Sequence, residues 1–433
     1  MQVSKAKKGY KLIEIRFKKF EEIPEDWEIN SLSEIVKKIK AGGTPKSTEK
    51  RFYSGKIPFV TIKDISSSEK FLDKTGKTLS DEGLLNSSSW LIPSNSILLS
   101  MYASIGKTVF NKIPVTTHQG ILGIIPNEKI INLHYLYYIL SSMKYLFESL
   151  TNTGTQANLN LHIVKNCKII FPKNLSEQKN IASILSNVDN TLERTNQLIQ
   201  KTELLKKGLM QELFVKGIGH TRFKKVDWFF GKQIEIPEEW EIKTCKEIST
   251  KILDGEHNSP EYSKEGIPYI SSQHVKSKII FTGCKLVSHK VYEKLSKRCN
   301  PEFLDMLITV KGTIGFCKLV DIKTKFCMDR NVGVIKPNQK IDPIFLEKIM
   351  SSEIIQKQIY NLTEDSVIPS LYLNKIKEII LPMPSLSEQK QIATILSNVD
   401  SQINKEKLQK LNLERLKKGL MQKLLTGQIR VKA

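Results

Sequence analysis

Apolar residues recur in alternating steps of four and three along two stretches of the chain, from Leu175 to Phe214 and from Leu386 to Leu425. This is the period of a long helix whose apolar seam packs against another helix. We predict one helix per stretch, each about 38 residues and therefore roughly 57 Å long. The predicted seam comprises Ile181, Leu185, Val188, Leu192, Ile199, Leu205, Leu209 and Leu213 in the first helix, and Ile392, Leu396, Val399, Ile403, Leu413, Leu416, Leu420 and Leu424 in the second. The first seam shifts phase at Leu205 and the second is interrupted before Leu413.

The two helical stretches are copies of one another. They align without a gap at an offset of 211, with 22 of 40 positions identical. The similarity extends outwards, because Ile23–Ile29 returns as Ile236–Ile242, and Arg16–Lys19 returns as Arg222–Lys225. The repeated unit is a basic strand, a variable domain and a helix, after which a basic strand comes again. A unit that closes on itself in this cyclic order places the two chain ends near each other and implies an approximate internal two-fold axis. That axis requires the two helices to pack as an antiparallel coiled coil.

The segments before the helices have a different pattern. Their apolar runs are short, rich in β-formers and bounded by Gly, Pro, Ser and Asn, which predicts strands of a mixed, twisted sheet. The predicted strands are Ile57–Ile62, Ser96–Ser100, Ile121–Ile125, Ile267–Ile270, Met306–Val310 and Val332–Ile335, and the predicted helices are His134–Leu150 and Pro343–Tyr360. The fold class is therefore α+β, with two mixed α/β domains in tandem, each followed by a long helix.

We therefore expect the chain to have seven segments. They are a basic N-terminal arm (1–22), a first domain (23–174), its helix (175–214), a linker (215–235), a second domain (236–385), its helix (386–425) and a C-terminal tail (426–433). Inside the two domains the sequences diverge: Gly43–Lys46 and Asp254–Pro260 occupy similar places with different chemistry. Shared helices with divergent domain interiors indicate one scaffold that carries two different recognition surfaces.

Composition adds a partner class. The formal charge is +22, from 67 Lys and Arg against 45 Asp and Glu, which favours a polyanion such as DNA. A Lys-rich, A/T-rich genome would also produce such a surplus. No apolar stretch is long enough to span a bilayer and the N-terminus lacks a signal core, so we expect a cytoplasmic protein without a membrane partner. The six cysteines never form C-x-x-C, and we expect reduced thiols.

The chain offers no catalytic or metal site. Gly106-Lys107-Thr108 ends like a phosphate-binding loop, but Met101 stands where the first glycine belongs. The seven histidines are scattered without ligand spacing, and there is no Asn-Pro-Pro-aromatic turn to clamp a flipped adenine.

The repeated L-S-E-Q-K-x-I-A-x-I-L-S-N-V-D motif resembles the conserved regions of the specificity subunits of type I restriction-modification enzymes. The Ile-Pro-Glu-x-Trp segments, the Gly-Gly-Thr-Pro and Asp-Gly-Glu-His loops and the Ile-Pro-Phe/Tyr strands are similar to that family's target recognition domains. The resemblance covers nearly the whole chain except for about the first 20 residues.

The resemblance implies a function in which each recognition domain reads one half of a split double-stranded DNA target and the helix pair acts as the spacer. Two methylation subunits, which carry the S-adenosylmethionine site, would dock on the helices and domains, and restriction subunits using ATP and Mg²⁺ would join that core. This chain would then hold no cofactor of its own and would not be an enzyme. Two other readings stay open: a coiled-coil scaffold protein and a stand-alone DNA-binding regulator.

Polar and basic residues in the divergent loops are the natural DNA contacts, because such side chains reach phosphates and base edges. In the first domain they are Thr44, Lys46, Arg51, Lys63, Tyr102, Lys107 and Gln119; in the second they are His257, Asn258, Gln273, Lys276, Lys311, Arg330 and Asn331. Gln119 and Arg330 fall at equivalent positions of the repeat.

Overall fold

A computed structural model describes residues 7–16, 19–151, 159–364 and 369–431, with the side chains of residues 14–16 and 19–21 excepted. The chain divides into two compact units. The first unit consists of Met1–Thr195 with Gln409–Ala433, and the second unit is Asn196–Leu408. Each long helix therefore contributes one part to each unit.

The first unit begins with a hairpin and continues as a mixed α/β domain. Its elements are β1 (Tyr10–Arg16), β2 (Lys19–Pro24), β3 (Trp27–Ser31), α1 (Leu32–Ile35), β4 (Val36–Ala41), a 3₁₀ turn (Lys50–Phe52), β5 (Tyr53–Val60), α2 (Ile62–Ser67), β6 (Phe71–Leu72), β7 (Lys77–Leu79), α3 (Asp81–Leu85), β8 (Ser96–Ser100), β9 (Thr108–Asn111), β10 (Thr116–Thr117), β11 (Ile121–Pro126), α4 (Leu133–Ser142), α5 (Lys144–Thr151), α6 (Leu161–Lys165), β12 (Lys168–Pro172) and the first part of α7 (Leu175–Leu213). The strands form sheets in the orders β4-β11-β8-β9-β6, β10-β5-β7, β12-β3 and β1-β2.

The second unit repeats this plan. Its elements are β13 (Phe223–Asp227), a 3₁₀ turn (Phe229–Gly231), β14 (Gln233–Pro237), β15 (Glu241–Thr244), β16 (Ser249–Asp254), β17 (Ile267–Ile270), a 3₁₀ turn (Ser272–His274), β18 (Lys285–Val287), α8 (His289–Ser296), β19 (Met306–Thr309), β20 (Cys317–Leu319), β21 (Cys327–Met328), β22 (Val332–Pro337), α9 (Pro343–Met350), α10 (Glu353–Leu362), α11 (Leu373–Glu378), β23 (Ile380–Met383) and α12 (Leu386–Leu424). The sheet orders are β16-β22-β19-β20, β18-β17-β21, β15-β23 and β13-β14. The predicted α+β class with an internal repeat is confirmed.

Each unit has a hydrophobic core that includes a buried tryptophan and one end of each long helix. In the first unit Trp27 packs in one cluster with Ile181 and Leu185 of α7 and Leu424 of α12. In the second unit Trp240 packs with Leu213 of α7 and Leu396 of α12. The helix ends are thus part of the cores, which explains why their sequences are retained between the repeats.

Each domain has two helices where the sequence predicts one continuous helix, so both of these predictions are wrong in that respect. The first ends at Ser142 and restarts at Lys144, and the second is interrupted at Ser351–Ser352. Redirection of the chain at Met143 lets Phe147 pack fully buried under the turn at Gly106, where a Cβ would lie 3.3 Å from its ring. Apolar periodicity alone does not reveal such a break.

The helix pairing is antiparallel and repeats with the offset of the sequence. In the first unit Lys417 of α12 lies 2.6 Å from Asp189 of α7, and in the second unit Lys206 of α7 lies 2.6 Å from Asp400 of α12. The beginning of each helix therefore meets the end of the other, and the predicted antiparallel arrangement is confirmed. Lys70 and Tyr138 also bond to Asp189, while Lys348 bonds to Asp400.

Two seam predictions are wrong. Leu205 and Leu416 are 56% and 50% exposed, whereas the other predicted seam residues are buried or half-buried. The seam keeps its phase, and its next positions are Lys206 and Lys417, whose ammonium groups are neutralised by the aspartates. The interruption in the second helix is also a polar residue in the seam, since Glu406 is buried there and accepts a hydrogen bond from Gln402.

The ends of the chain meet in the first unit. The Tyr10 hydroxyl donates to the carbonyl of Gly427, and Arg430 forms hydrogen-bonded ion pairs with both Glu177 and Asp26. In the second unit His220 takes the equivalent place and lies 2.9 Å from Glu388, the counterpart of Glu177. These contacts support the cyclic order of the repeat.

One detail of the cyclic order is wrong. Tyr10 pairs with Pro24 as Phe223 pairs with Pro237, so Arg222–Lys225 correspond to the first strand of the N-terminal hairpin and not to Arg16–Lys19. The similarity of the two short basic strings is coincidental; Phe17 and Lys18 lie outside the described residues.

We expect loss of the Asp189 carboxylate to destabilise the first unit. Burial alone would raise the pKa of Asp189, but hydrogen bonds from Lys417, Tyr138 and Lys70 hold it below its ordinary value of 3.8. A lowered acid pKa stabilises the fold above about pH 4, and the stabilisation is lost as the pH falls through that pKa. At pH 7 Asp189→Asn should therefore cost about 2 kcal/mol, somewhat less than is typical for a fully buried pair, since solvent reaches this one. Urea unfolding at pH 7 and pH 3 measures this.

The difference between Asp189→Asn and the wild type should shrink at pH 3. Glu414→Gln, which removes an exposed carboxylate 4.0 Å from Lys410, is the matched control and should cost less than about 0.5 kcal/mol. An Asp189→Asn penalty that stays the same at both values of pH would contradict this explanation.

Candidate nucleic-acid interface

Loops of the first unit converge at one end of its strands. The loop after β4 bonds to the end of β10, since Gly43 N–H donates to the Thr117 carbonyl over 2.9 Å. The loop after β10 bonds to β5 through His118 N–H and the Val60 carbonyl (3.0 Å). The loop after β8 joins them through Met101 N–H and the Gly120 carbonyl (2.8 Å). Segments 42–46, 61–66, 101–107 and 118–120 thus form one surface, which we call the first loop surface.

The second unit has the same loop frame. Glu256 N–H donates to the Met328 carbonyl (2.9 Å), Asp329 N–H to Ile270 (3.0 Å) and Val310 N–H to Asn331 (2.9 Å). These three bonds are the counterparts of the three in the first unit. Segments 255–258, 271–276, 310–315 and 328–331 form the second loop surface.

The loop frame depends on a glycine that follows β4 in the first unit and β16 in the second. A Cβ on Gly42 would lie 2.0 Å from the Thr117 carbonyl oxygen, and one on Gly255 would lie 2.2 Å from that of Met328. Only glycine permits so close an approach of two backbones. The loop geometry is therefore built into the sequence at equivalent positions.

The first loop surface gathers six of the seven predicted contact residues of its unit. The Thr44 hydroxyl donates to the side-chain oxygen of Gln119, and the Tyr102 ring lies against Gly120. Lys107 donates to the Ser66 carbonyl over 2.8 Å. Lys46 and Lys63 are exposed on the segments 42–46 and 61–66.

Arg51 is placed differently. Its guanidinium lies 2.9 Å from Glu82 and 3.3 Å from Glu49, beside the 3₁₀ turn that precedes β5. Two carboxylates therefore offset its charge. Arg51 is not part of the first loop surface. Its pairing with Glu82 could not be predicted from the sequence, because the two residues are 31 positions apart.

The second loop surface brings together all seven predicted residues of its unit, as judged by the segments that hold them. Arg330 N–H donates to the Glu256 carbonyl, which places Arg330 next to His257 and Asn258. Asn331 donates to Asp329 over 2.7 Å, and Lys311 follows Val310 in the loop after β19. Gln273 and Lys276 are exposed in and after the 3₁₀ turn that follows β17.

Equivalent positions on the two loop surfaces carry different side chains. The matching backbone bonds pair Thr44 with His257, Gln119 with Arg330, and Tyr102 with Lys311. The predicted equivalence of Gln119 and Arg330 is thus supported by the backbone geometry. One frame presents two different sets of donors and acceptors.

His118 and Asp329 perform the same structural task in the two units. Each accepts a backbone N–H two residues on, from Gly120 (3.0 Å) and Asn331 (2.9 Å) respectively. Burial lowers the pKa of His118, so its imidazole is neutral and can accept. Burial also raises the pKa of Asp329, against the hydrogen bonds from Asn331. These acceptors fix the loops and leave the exposed Gln119 and Arg330 between them.

The loop surfaces also include polar residues that were not predicted from the sequence. Asp254 pairs with His257 (2.7 Å) and Arg298 (3.0 Å), and the Ser66 and Ser104 hydroxyls lie 2.6 Å apart. Arg298 is 44 residues from Asp254, and no local pattern signals such a pair. The position of Ser66 was detectable, since it lies one helical turn after Lys63.

The described part of the chain was predicted to hold no metal site and no phosphate-binding loop, and its histidine, cysteine and carboxylate side chains bear on this directly. Within residues 7–16, 19–151, 159–364 and 369–431, no three His, Cys, Asp or Glu side chains are grouped to hold a metal. All six cysteines are free; burial raises the pKa of Cys167, Cys245 and Cys327 to about 12 and that of Cys299 to about 11. Thr108 begins a strand, whereas a phosphate-binding loop leads into a helix. Among the described helices, none is both long and apolar enough to cross a membrane.

The chain thus carries two copies of one loop frame, each with its own polar side chains. Residues 24–204 and 237–413 each match the family profile described as the type I restriction modification DNA specificity domain. The chain belongs to this family, with two such domains in tandem.

Two relatives are similar to the chain over nearly their whole length. The chain is 32% identical to a Methanocaldococcus jannaschii protein named as the MjaX specificity subunit of a type I restriction enzyme, covering 97% of this chain and 98% of that one. It is 29% identical to the MjaVIII specificity subunit of the same organism (95% and 94%). The fold matches the crystal structure of the type I S subunit from M. genitalium with a TM-score of 0.56 at 19% identity, covering 92% of this chain and 96% of that one. A structure from a study of type I R-M complex assembly matches with a TM-score of 0.60 at 14% identity (94% and 99%).

Proposed function

We propose that this chain is the non-catalytic subunit that gives a type I restriction-modification complex its DNA sequence specificity. Each recognition domain reads one half of a bipartite target. The observation that carries this proposal is the pair of loop surfaces, in which matching backbone bonds hold different side chains. A scaffold protein would have no need for two divergent polar surfaces on one frame.

The proposed contacts are the predicted residues that the loop surfaces gather. In the first domain they are Thr44, Lys46, Lys63, Tyr102, Lys107 and Gln119, and in the second His257, Asn258, Gln273, Lys276, Lys311, Arg330 and Asn331. Arg51 is left out because Glu49 and Glu82 engage its guanidinium. Gln119 and Arg330 are the proposed base readers, since a Gln amide can bond bidentately to adenine and an Arg guanidinium to guanine.

The domain limits follow from the same proposal. We place the recognition domains at 23–174 and 236–385, the conserved helices at 175–214 and 386–425, and the joining segments at 1–22, 215–235 and 426–433. The helix pair is proposed as the spacer that fixes the separation of the half-sites. A coiled-coil pair suits this role because each residue adds a fixed rise of about 1.5 Å.

Two methylation subunits are the proposed partners on the helices, with restriction subunits joining them. Leu205 and Leu416 are exposed although they lie in the retained L-K-K-G-L-M-Q block of each helix. Gly208 and Gly419 of the same block have open space around them, at a cost of about 1 kcal/mol each in helix stability. Equivalent apolar and glycine positions kept on two helices suit two copies of one partner. S-adenosylmethionine, ATP and Mg²⁺ would be bound by those partners, in the cytoplasm.

The isolated chain is expected to transfer no methyl group and to cut no DNA. With a type I methylation subunit co-expressed, the two should copurify and methylate DNA at a defined sequence. Transfer of labelled methyl groups from S-adenosylmethionine by the rigorously purified single chain would overturn the proposal. So would a copurified complex that methylates DNA without sequence preference.

A further inference from the structure

We propose that Lys63, Lys107 and Lys144 of the first unit bind a backbone phosphate beside the DNA half-site, a contact that the second unit lacks at the equivalent positions. The proposal rests on the proposed function. It adds Lys144, which is outside the set of predicted contacts, and assigns the two domains unequal shares of the electrostatic binding.

The three lysines come from three elements that meet at the edge of the first loop surface. Lys107 donates to the carbonyl of Ser66, and the Ser66 hydroxyl lies 2.6 Å from that of Ser104. Lys63 is exposed one turn before Ser66 in α2. Lys144 begins α5 directly against the loop, because a Cβ on Gly106 would lie 3.0 Å from its Cα.

The cluster is poorly neutralised within the chain. Among the described carboxylates, none lies within 4.0 Å of the Lys63 or Lys107 ammonium groups. Lys144 has one weak partner, Glu148 at 3.8 Å, and both of these side chains are more than 40% exposed. Burial and the charge of Lys144 lower the pKa of Lys107, while Glu69 acts in the opposite direction. An anion placed between the ammonium groups would relieve this repulsion.

The second unit has uncharged residues at the corresponding positions. Ser271 and His274 form the capping box that Thr61 and Asp64 form in the first unit, so Lys63 corresponds to Gln273. Gly315 N–H bonds to Thr309 as Gly106 N–H bonds to Ser100, so Phe316 stands in the place of Lys107.

The space beside the equivalent turn glycine, Gly315, is filled differently in the second unit. There the side chain of Gln356 fills the space beside Gly315, and its amide donates to the carbonyls of Gly315 (2.9 Å) and Met350 (2.7 Å). Lys63 and Lys107 are therefore replaced by uncharged residues on the same frame, and the turn glycine of the second unit has an amide beside it where that of the first unit has Lys144.

A DNA phosphate is the ligand that this chemistry fits best. Ammonium groups and serine hydroxyls are common phosphate contacts, and such contacts position a protein without reading sequence. The turn 101–107 carries both Lys107 and Tyr102 and is bonded to the loop 118–120 that holds Gln119. A phosphate bound by the cluster would therefore flank the bases read by those loops.

The test measures the salt dependence of DNA binding by the complex with its methylation subunits. Lys107→Gln with Lys144→Gln should lower the slope of log K against log salt by about 0.9 for one lost phosphate contact. The loss of affinity should therefore be about 3 to 4 times larger at 50 mM than at 200 mM salt, and equal for cognate and altered sites.

Two further variants make the result specific. Lys357→Gln removes an exposed lysine that Glu353 already neutralises, and it should leave the slope unchanged. Phe316→Lys with Gln273→Lys places two charges on the second unit and should steepen the slope by about 0.9.

An unchanged slope in the Lys107→Gln, Lys144→Gln complex would overturn the proposal, as would a loss confined to one DNA sequence or a failure to bind the methylation subunits. These results differ from a failure of the proposed function, which would appear as a wild-type complex with no bipartite sequence preference.

Discussion

Lengthening both long helices by four residues is expected to move the two DNA half-sites apart by roughly one to two base pairs. Four residues add about 6 Å of helix at about 1.5 Å each, and DNA rises about 3.4 Å per base pair. The insertions belong after Asn196 and after Leu408, close to where one unit ends and the other begins in each helix. There they leave the Lys417–Asp189 and Lys206–Asp400 pairs within their units intact.

At the original spacing the lengthened complex can place only one domain on its half-site. Each base pair that loses its contacts costs about 1–3 kcal/mol, so affinity for the original target should fall roughly 100-fold or more. Binding to duplexes of graded spacer length measures this, with both half-site sequences held constant. Insertion in α7 alone is the control: it shifts the helix register inside one unit and should reduce stability. An unchanged preferred spacer in a folded, active double-insertion complex would show that the helices do not set the distance.

Arg330→Ala is expected to remove discrimination at one base pair of the second half-site. Arg330 is exposed, its backbone is fixed by Glu256, and among the described residues no carboxylate lies within ion-pair distance of its guanidinium. A bidentate Arg contact to guanine is worth about 1–3 kcal/mol, so the cognate site should lose roughly 5- to 150-fold in affinity. Sites already altered at that base pair should lose much less. Competition binding with single-base variants of the target identifies the affected position.

Arg51→Ala is the matched control for Arg330→Ala. The sequence predicts both arginines as DNA contacts, but the Arg51 guanidinium is paired with Glu49 and Glu82. Its loss should therefore not change the discrimination between DNA sites. If Arg330→Ala weakens all sequences equally, Arg330 is a phosphate contact and its assignment as a base reader is wrong.

Much of the fold could be predicted because the repeat and the helical period are both visible in the sequence. The strands Ser96–Ser100 and Ile267–Ile270 were predicted with the limits they have, since buried β-branched and leucine runs end at polar turns. Of the residues predicted to form the helix seam, all are buried or half-buried except Leu205 and Leu416. A lysine in an apolar seam looks like an interruption of the seam unless the aspartate that neutralises it is known. The sequence does not reveal that aspartate, because Asp400 lies 194 positions from Lys206.

The candidate site was predictable in position but not in pairing. The sequence shows where the two loop surfaces lie, because the loops diverge between segments that the repeats share. Gln119, Arg330 and the twelve other predicted contacts follow from that divergence. The sequence could not tell that Arg51 is paired, that His257 is bonded to Asp254, or that Lys144 reaches the loop 101–107. Each of these depends on contacts between elements distant along the chain.

The most direct test of the central claim is the selection of bound sites from a random DNA pool by the wild-type chain in complex with its methylation subunits. Two domains that read separately should enrich two short conserved blocks separated by a fixed number of unconserved base pairs. Gln119→Ala should then alter only one block and Arg330→Ala only the other, because these residues lie on different loop surfaces. A single uninterrupted motif, no enrichment, or a change in both blocks from one substitution would contradict the claim that each domain reads its own half-site.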